Sequence, residues 1–284
     1  MKRISAIVCA GLADLLLAGC GTGSLDSMDE GPSGEVAEPL ENSNAMNPNA
    51  MNPNAMNPNA MNPNAMNPNA LNPSAMSATA MLALQNPGSA GDLSRQLLRY
   101  TVSCALDPAQ SFNLSWTDAA GVPRSEVYWG LLGLATGWAT GPLSSSGEGW
   151  VSACLASRVN WYGIPVMLSS RGAVPQLGMT DGERWRYSKI EGAFYGNLFS
   201  ATPEVYACYN TDNIANSRSQ LRDCAVGHLN TDGTTSSCGI LQILGPCASF
   251  CPTFLADQKY YSSCFTQAGN QGDAVLTVVT VGLK

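Results

Sequence analysis

One histidine, ten cysteines and a short-range trio of carboxylates are the residues of this chain best equipped for chemistry. Asp181, Glu183 and Glu191 fall close together, flanked by Trp185, Tyr187, Phe194 and Tyr195, whose rings could stack on sugars. Two carboxyls held about 5–10 Å apart suffice for glycoside hydrolysis, one as acid and one as base or nucleophile. The same residues also read without catalysis: Asp181-Gly182 as a turn, and Glu183 with Arg184 and Arg186 as a solvated face of weak ion pairs. Glu191 enters an aromatic run, so if buried it needs a cationic partner, and Arg171 or Arg158 is the expected one. His228 sits in a Gly-His-Leu-Asn loop between Cys224 and Cys238. A Cys-His nucleophilic pair would need a free thiolate, with Cys154 or Cys208 as the candidate. Cys247, Cys251, Cys264 and His228 are acceptable zinc ligands by type, but their spacing fits no finger or ribbon. No metal site and no cofactor is expected. There is no Gly-x-Ser-x-Gly elbow, phosphate-cradling glycine loop or His-Glu-x-x-His segment.

The state of the cysteines depends on the compartment, and the N-terminus bears on that. Lys2 and Arg3 precede an apolar run from Ile4 to Leu17 that is too short for a stable membrane span and reads as an export signal. It ends in Leu17-Ala18-Gly19-Cys20, which resembles the lipobox of bacterial lipoproteins. The resemblance implies removal of residues 1–19, with Cys9 among them, and a lipid on Cys20. Gly21 in place of an aspartate implies, by the same resemblance, the outer membrane. Asp14 departs from the pattern, since a charge in such a run costs about 2.5–3.5 kcal/mol on insertion scales. In an exported chain the eight later cysteines, Cys104, Cys154, Cys208, Cys224, Cys238, Cys247, Cys251 and Cys264, are expected to form disulfides, with the pairing left open.

Residues 20–90 read as a disordered tether. Aromatics are absent, Gly, Pro, Ser and Asn dominate, and Ala-Met-Asn-Pro-Asn recurs from Ala45 to Asn69 before degenerating. Such a coil spans roughly 45–50 Å. Met46, Met51, Met56, Met61 and Met66 are soft ligands suited to Cu(I), but single thioethers five residues apart converge poorly on one ion, so a spacer is the favoured reading. Asp26, Asp29, Glu30, Glu35, Glu38 and Glu41 have no basic neighbour before Arg95, whereas from Asp92 onward acids and bases nearly balance. Nothing here offers a basic surface to nucleic acid, and membrane association would rest on the lipid.

Residues 91–284 read as one globular α+β domain: two main helices on an antiparallel or mixed sheet, followed by a disulfide-rich, loop-rich region from Cys208 to Cys264. Leu93, Leu97, Leu98, Val102 and Leu106 recur at helical spacing, with Arg95 and Arg99 on another face, Asp92 or Ser94 as cap and Asp107-Pro108 as stop. A second helix is expected from about Glu148 to Trp161, capped by Gly163, with Cys154 on its inner face, where it can meet Cys104. Phe112–Trp116 and Val127–Gly133 form an expected hairpin across a turn between Asp118 and Pro123. Further strands are expected at Ile164–Ser169, Glu191–Phe199, Val205–Tyr209 and Ala274–Val281.

Leu97–Leu106, Trp150–Leu155, Glu191–Phe199 and Gly245-Pro246-Cys247 resemble segments of uncharacterised cysteine-rich lipoproteins of myxobacteria, over about residues 93–284. The resemblance carries no known activity. The long tether, the cysteine-rich domain and the missing catalytic signature make a lipid-anchored envelope protein with a disulfide-stabilised binding or structural module, its partner an envelope polysaccharide or protein, the expected function. A carboxylate-dependent polysaccharide hydrolase is the alternative.

Overall fold

Helix α2, Ser89–Ala105, illustrates how the apolar pattern is realised in three dimensions. In a computed structural model, which describes residues 41–44, 78–200, 202–269 and 271–284, it buries Leu97, Leu98, Val102 and Cys104. It begins earlier than Asp92: Gly88 occupies the N-cap, Asp92 lies in the first turn and Ser94 Oγ donates back to Ala90 O at 2.9 Å. Arg95 is buried rather than solvated. Its guanidinium donates to Leu84 O (2.6 Å) and Asn86 O (2.9 Å) and lies over the Trp116 ring. Those carbonyls end helix α1, Ala78–Gln85, which carries buried Leu84.

Helix α1 and the start of α2 therefore lie within the range 20–90. Strand β1, Glu41–Asn44, lies inside that range as well. The chain divides into units Met1–Ala37 and Glu38–Lys284, and all described residues belong to the second. Leu17–Cys20 and the Ala-Met-Asn-Pro-Asn array lie outside the described residues.

Strands β2 (Ser111–Thr117) and β3 (Pro123–Trp129) pair antiparallel across the expected turn. The segment after Trp129 has a different task from the one expected of it. The amides of Leu132, Leu134 and Ala135 donate to Ser103, Cys104 and Ala105 carbonyls, capping the C-terminus of α2. Helix α3, Ser145–Arg158, is capped by Ser144, whose hydroxyl accepts from Gly147 N at 3.1 Å. Cys104 and Cys154 meet as expected, joining α2 to α3.

Strands β4 (Val166–Arg171), β5 (Lys189–Asn197) and β6 (Glu204–Tyr209) follow, with helix α4 (Asp181–Arg186) between the first two. After β6 come helix α5 (Ile214–Ser219) and the small hairpin of β7 (His228–Leu229) and β8 (Thr235–Ser236). Strand β9 (Leu241–Pro246), helix α6 (Cys247–Phe250) and the two-residue strands β10 (Phe254–Leu255) and β11 (Tyr260–Tyr261) lead to the last strand, β12 (Val279–Leu283). The main sheet has the order β1-β4-β12-β5-β6-β9, antiparallel except for the β6–β9 pair, so the class is α+β with a mixed sheet. β12 is shorter than the expected Ala274–Val281 at its start, because the backbone of Val275 pairs with Cys264 instead.

Alternation along the strands sorts side chains onto two faces. Phe194, Val205, Ala207, Val279 and Val281 join the helices in the larger core. Ala193, Tyr195, Tyr206, Cys208 and Val278 join Phe250, Cys251, Tyr261 and Cys264 in a second one beneath the C-terminal loops. Gly192 is required where β5 meets β6, since a Cβ there would sit 2.0 Å from Cys208 O. Among the described residues all eight cysteines are bridged, as Cys104–Cys154, Cys208–Cys247, Cys224–Cys238 and Cys251–Cys264. No helix among the described residues is long and apolar enough to cross a membrane.

Candidate functional site

A bulge in β5 decides where Glu191 points. On β12, Val281 pairs with Gly192 and Gly282 with Ile190, so Glu191 is the extra residue between two consecutive pairs. Ile190 is thereby turned to the second core, while the Glu191 carboxylate reaches Arg222. Arg222 Nη2 and Nε donate to Glu191 Oε2 at 2.8 and 3.2 Å, with both side chains buried. The partner is thus Arg222, from a distant loop, and not Arg171 or Arg158. Arg171 donates to Ser169 Oγ (3.0 Å) and Tyr187 O (2.7 Å), and burial lowers its pKa to about 10. Arg158 is likewise lowered to about 10 by burial. Burial pushes the Glu191 carboxyl up, and Arg222 beside it opposes that shift.

The other two candidate acids have separate fates. Asp181 is exposed at the start of α4. Glu183 is buried, not solvated: Oε2 accepts from Thr180 N (3.0 Å) and Oγ1 (3.2 Å), while Oε1 accepts from Ser169 Oγ (3.0 Å). With Thr180 it forms a capping box, a helix-start device. Of the flanking rings, Trp185 is exposed, whereas Tyr187, Phe194 and Tyr195 are buried. Tyr195 spends its hydroxyl on Phe265 O at 2.8 Å.

Arg222 also explains where α3 ends. Its Nη1 and Nη2 donate to Val159 O (2.8 Å) and Ser157 O (2.9 Å), so the helix stops at Arg158 with Val159 as C-cap, short of the expected Trp161 and Gly163. Asn160 then turns the chain, accepting from Tyr162 N at 2.8 Å and donating to Leu221 O at 3.2 Å. Trp161 and Tyr162 are left partly exposed, at 38% and 40%. Opposite them, Leu221 adopts φ 57°, a left-handed conformation that is costly for a branched side chain, and it is itself exposed. The two residues that follow it, Arg222 and Asp223, are both buried, one paired with Glu191 and the other with His228.

Asp223 Oδ2 lies 3.0 Å from His228 Nδ1 and accepts from Tyr162 Oη at 3.1 Å. Burial, then Asp223, raises the Tyr162 phenol. Trp161 stacks on the imidazole, with centroids 4.2 Å apart and planes inclined by 10°, and Tyr162 meets it edge-on at 5.4 Å. Cys224–Cys238 fixes the loop bearing both Asp223 and His228. Since the carboxylate is an acceptor, Nδ1 donates to it. Among the described residues Nε2 has no hydrogen-bond partner, so it is the ring's open nitrogen.

His228 thus meets a carboxylate and two aromatics in place of the thiolate or zinc ligands considered for it. Cys154, Cys208, Cys247, Cys251 and Cys264 are bridged, and the cluster of neighbouring sulfurs, Cys208, Cys251 and Cys264, does not include the histidine. Trp161, Tyr162, Arg222 and Asp223 are the residues that sequence reasoning missed. A consecutive Arg-Asp pair beside a cysteine, far from any charge run, is the one local signal that could have marked them. Comparison with family models, with curated proteins and with solved structures found no match.

Proposed function

We propose that this is a lipid-anchored cell-envelope protein whose disulfide-stabilised module binds an envelope polysaccharide through Trp161, Tyr162 and His228. The observation that carries the reading is the Trp161–His228 stack: a flat, partly exposed ring pair held against a rigid base. Such a pair suits the apolar face of a sugar ring, with His228 Nε2 available to accept from a sugar hydroxyl. Asp223, Arg222 and Glu191 form the base and fix the rings before a ligand arrives, which reduces the ordering cost of binding. Near-neutral charge beyond Asp92 suits an uncharged or weakly charged glycan better than a polyanion.

The anchoring half of the proposal rests on Leu17–Cys20, with lipid on Cys20, the outer membrane as the address and the Asn-Pro repeats as spacer. Hydrolysis by Asp181, Glu183 and Glu191 gains no support, because Glu183 caps a helix and Glu191 is locked to Arg222. The test is cosedimentation of the full chain with insoluble polysaccharide isolated from a bacterial envelope. Wild type should pellet with the glycan and a Trp161→Ala, His228→Ala double variant should remain in the supernatant. Equal pelleting of the two would overturn the assignment of the surface.

A further inference from the structure

The second core contains two disulfides in contact. Cys208 Sγ of the Cys208–Cys247 bridge lies 3.4 Å from Cys251 Sγ of the Cys251–Cys264 bridge. The sulfur atoms of Cys208, Cys251 and Cys264 all lie within 4.8 Å of one another, and these three residues and Cys247 are all buried. Their backbones are held by separate elements. Cys208 is on β6 and Cys247 opens α6, whose last turn bonds Cys251 N to Cys247 O. Cys264 pairs with Val275, and Phe265 N donates to Phe250 O. The other two bridges, Cys104–Cys154 and Cys224–Cys238, belong to the larger core, so the contact is confined to this pair.

Disulfides exchange when a thiolate attacks a bridged sulfur, and the rate depends on access of one sulfur to the other. At van der Waals separation, access is built in. We propose that Cys208, Cys247, Cys251 and Cys264 form one exchangeable redox unit that accepts two electrons from a dithiol and passes them between its bridges. In the first step a dithiol reduces Cys251–Cys264: its two sulfurs join as a disulfide, and Cys251 and Cys264 take up two electrons and two protons. In the second, the Cys251 thiolate attacks Cys208 Sγ. The Cys208–Cys251 bond forms, the Cys208–Cys247 bond breaks, and Cys247 leaves as a thiolate that recovers the proton given up by Cys251. This step is redox-neutral. It frees Cys247 and Cys264, and so releases the segment carrying β10 and β11 from its covalent tie while β6 stays joined to the end of α6.

The experiment is bridge mapping by mass spectrometry on the full chain, quenched in acid and alkylated. A Cys264→Ser variant leaves Cys251 without its native partner; the proposal expects a Cys208–Cys251 cross-linked peptide with Cys247 alkylated. A Cys247→Ser variant should give the same cross-link with Cys264 alkylated. Wild type treated with one equivalent of dithiothreitol should yield that cross-link while Cys104–Cys154 and Cys224–Cys238 remain intact, which keeps the test valid if a variant fails to fold. Recovery of only Cys208–Cys247 with alkylated Cys251 in the first variant, and of no Cys208–Cys251 peptide from treated wild type, would overturn it.

Discussion

Glu191 and Arg222 form a buried ion pair whose two halves have different consequences when removed. Arg222 holds Glu191 and also takes the Ser157 and Val159 carbonyls, so Arg222→Ala strands a carboxylate and two backbone acceptors at once. Removing one member of such a pair typically costs about 3–5 kcal/mol. Denaturant unfolding of Arg222→Ala should show a loss of that order, and a Glu191→Leu, Arg222→Met double variant should recover only the part due to the stranded carboxylate, since the Ser157 and Val159 carbonyls still lack their donor. A loss below about 1 kcal/mol for the single variant would mean that the pair does not hold the α3 terminus. The phenols offer a second test at this scale. Burial, then hydrogen bonding to Glu204, raises Tyr206 to about 12, and burial also raises Tyr128 and Tyr195. The unfolded chain ionises its phenols first, near their ordinary value, so the folded state binds more protons above about pH 10 and stability falls from there as pH rises. Tyr206→Phe should flatten that fall between roughly pH 10 and 12, read from thermal unfolding across the alkaline range.

At the scale of elements, the α2–α3 pair and the β5–β6 pair make opposite demands. Helices α2 and α3 are joined by Cys104–Cys154 across a separation of 50 residues. A Cys104→Ala, Cys154→Ala variant should lose about 2–4 kcal/mol and keep its fold, since Leu97, Leu98, Val151 and Leu155 still pack. β5 and β6 instead approach so closely at Gly192 that any side chain there meets the Cys208 carbonyl. Gly192→Ala should therefore disrupt the sheet and lower the yield of folded, fully bridged protein more than loss of the Cys104–Cys154 bridge does, measured as free thiols after expression. The helix pair was legible in the sequence because apolar spacing and cysteine position are local. The hairpin of β2 and β3 was legible for the same reason. The bulge at Glu191 was not: it exists because β12 skips a residue in pairing, which alternation along one strand does not reveal. The end of α3 was missed on similar grounds, because the residue that ends it lies on a loop more than sixty positions away.

At the scale of the molecule, the two cores on either side of one sheet have separate covalent supports. The larger core is pinned by Cys104–Cys154 and Cys224–Cys238, the smaller by the two bridges in contact. Charge balance beyond Asp92 and a full set of bridges were readable from composition, and the α+β class from the apolar patterning along the chain. The candidate site was only half readable: His228 stood out as the single histidine, but its neighbours arrive from the segments that follow α3 and α5, through contacts that only the fold creates. For the proposed anchor, Cys20→Ser should move the protein from the membrane to the soluble fraction and abolish incorporation of a labelled fatty acid. Unchanged fractionation and labelling would place the anchor elsewhere. The central claim concerns the ring pair, and it is tested most directly by isothermal titration of the full chain with a soluble fragment of the envelope polysaccharide. Trp161→Ala should weaken binding at least about tenfold, close to 1.4 kcal/mol, while Trp185→Ala, which removes a more exposed indole on α4, should bind as wild type does. Wild-type affinity in Trp161→Ala would contradict the account.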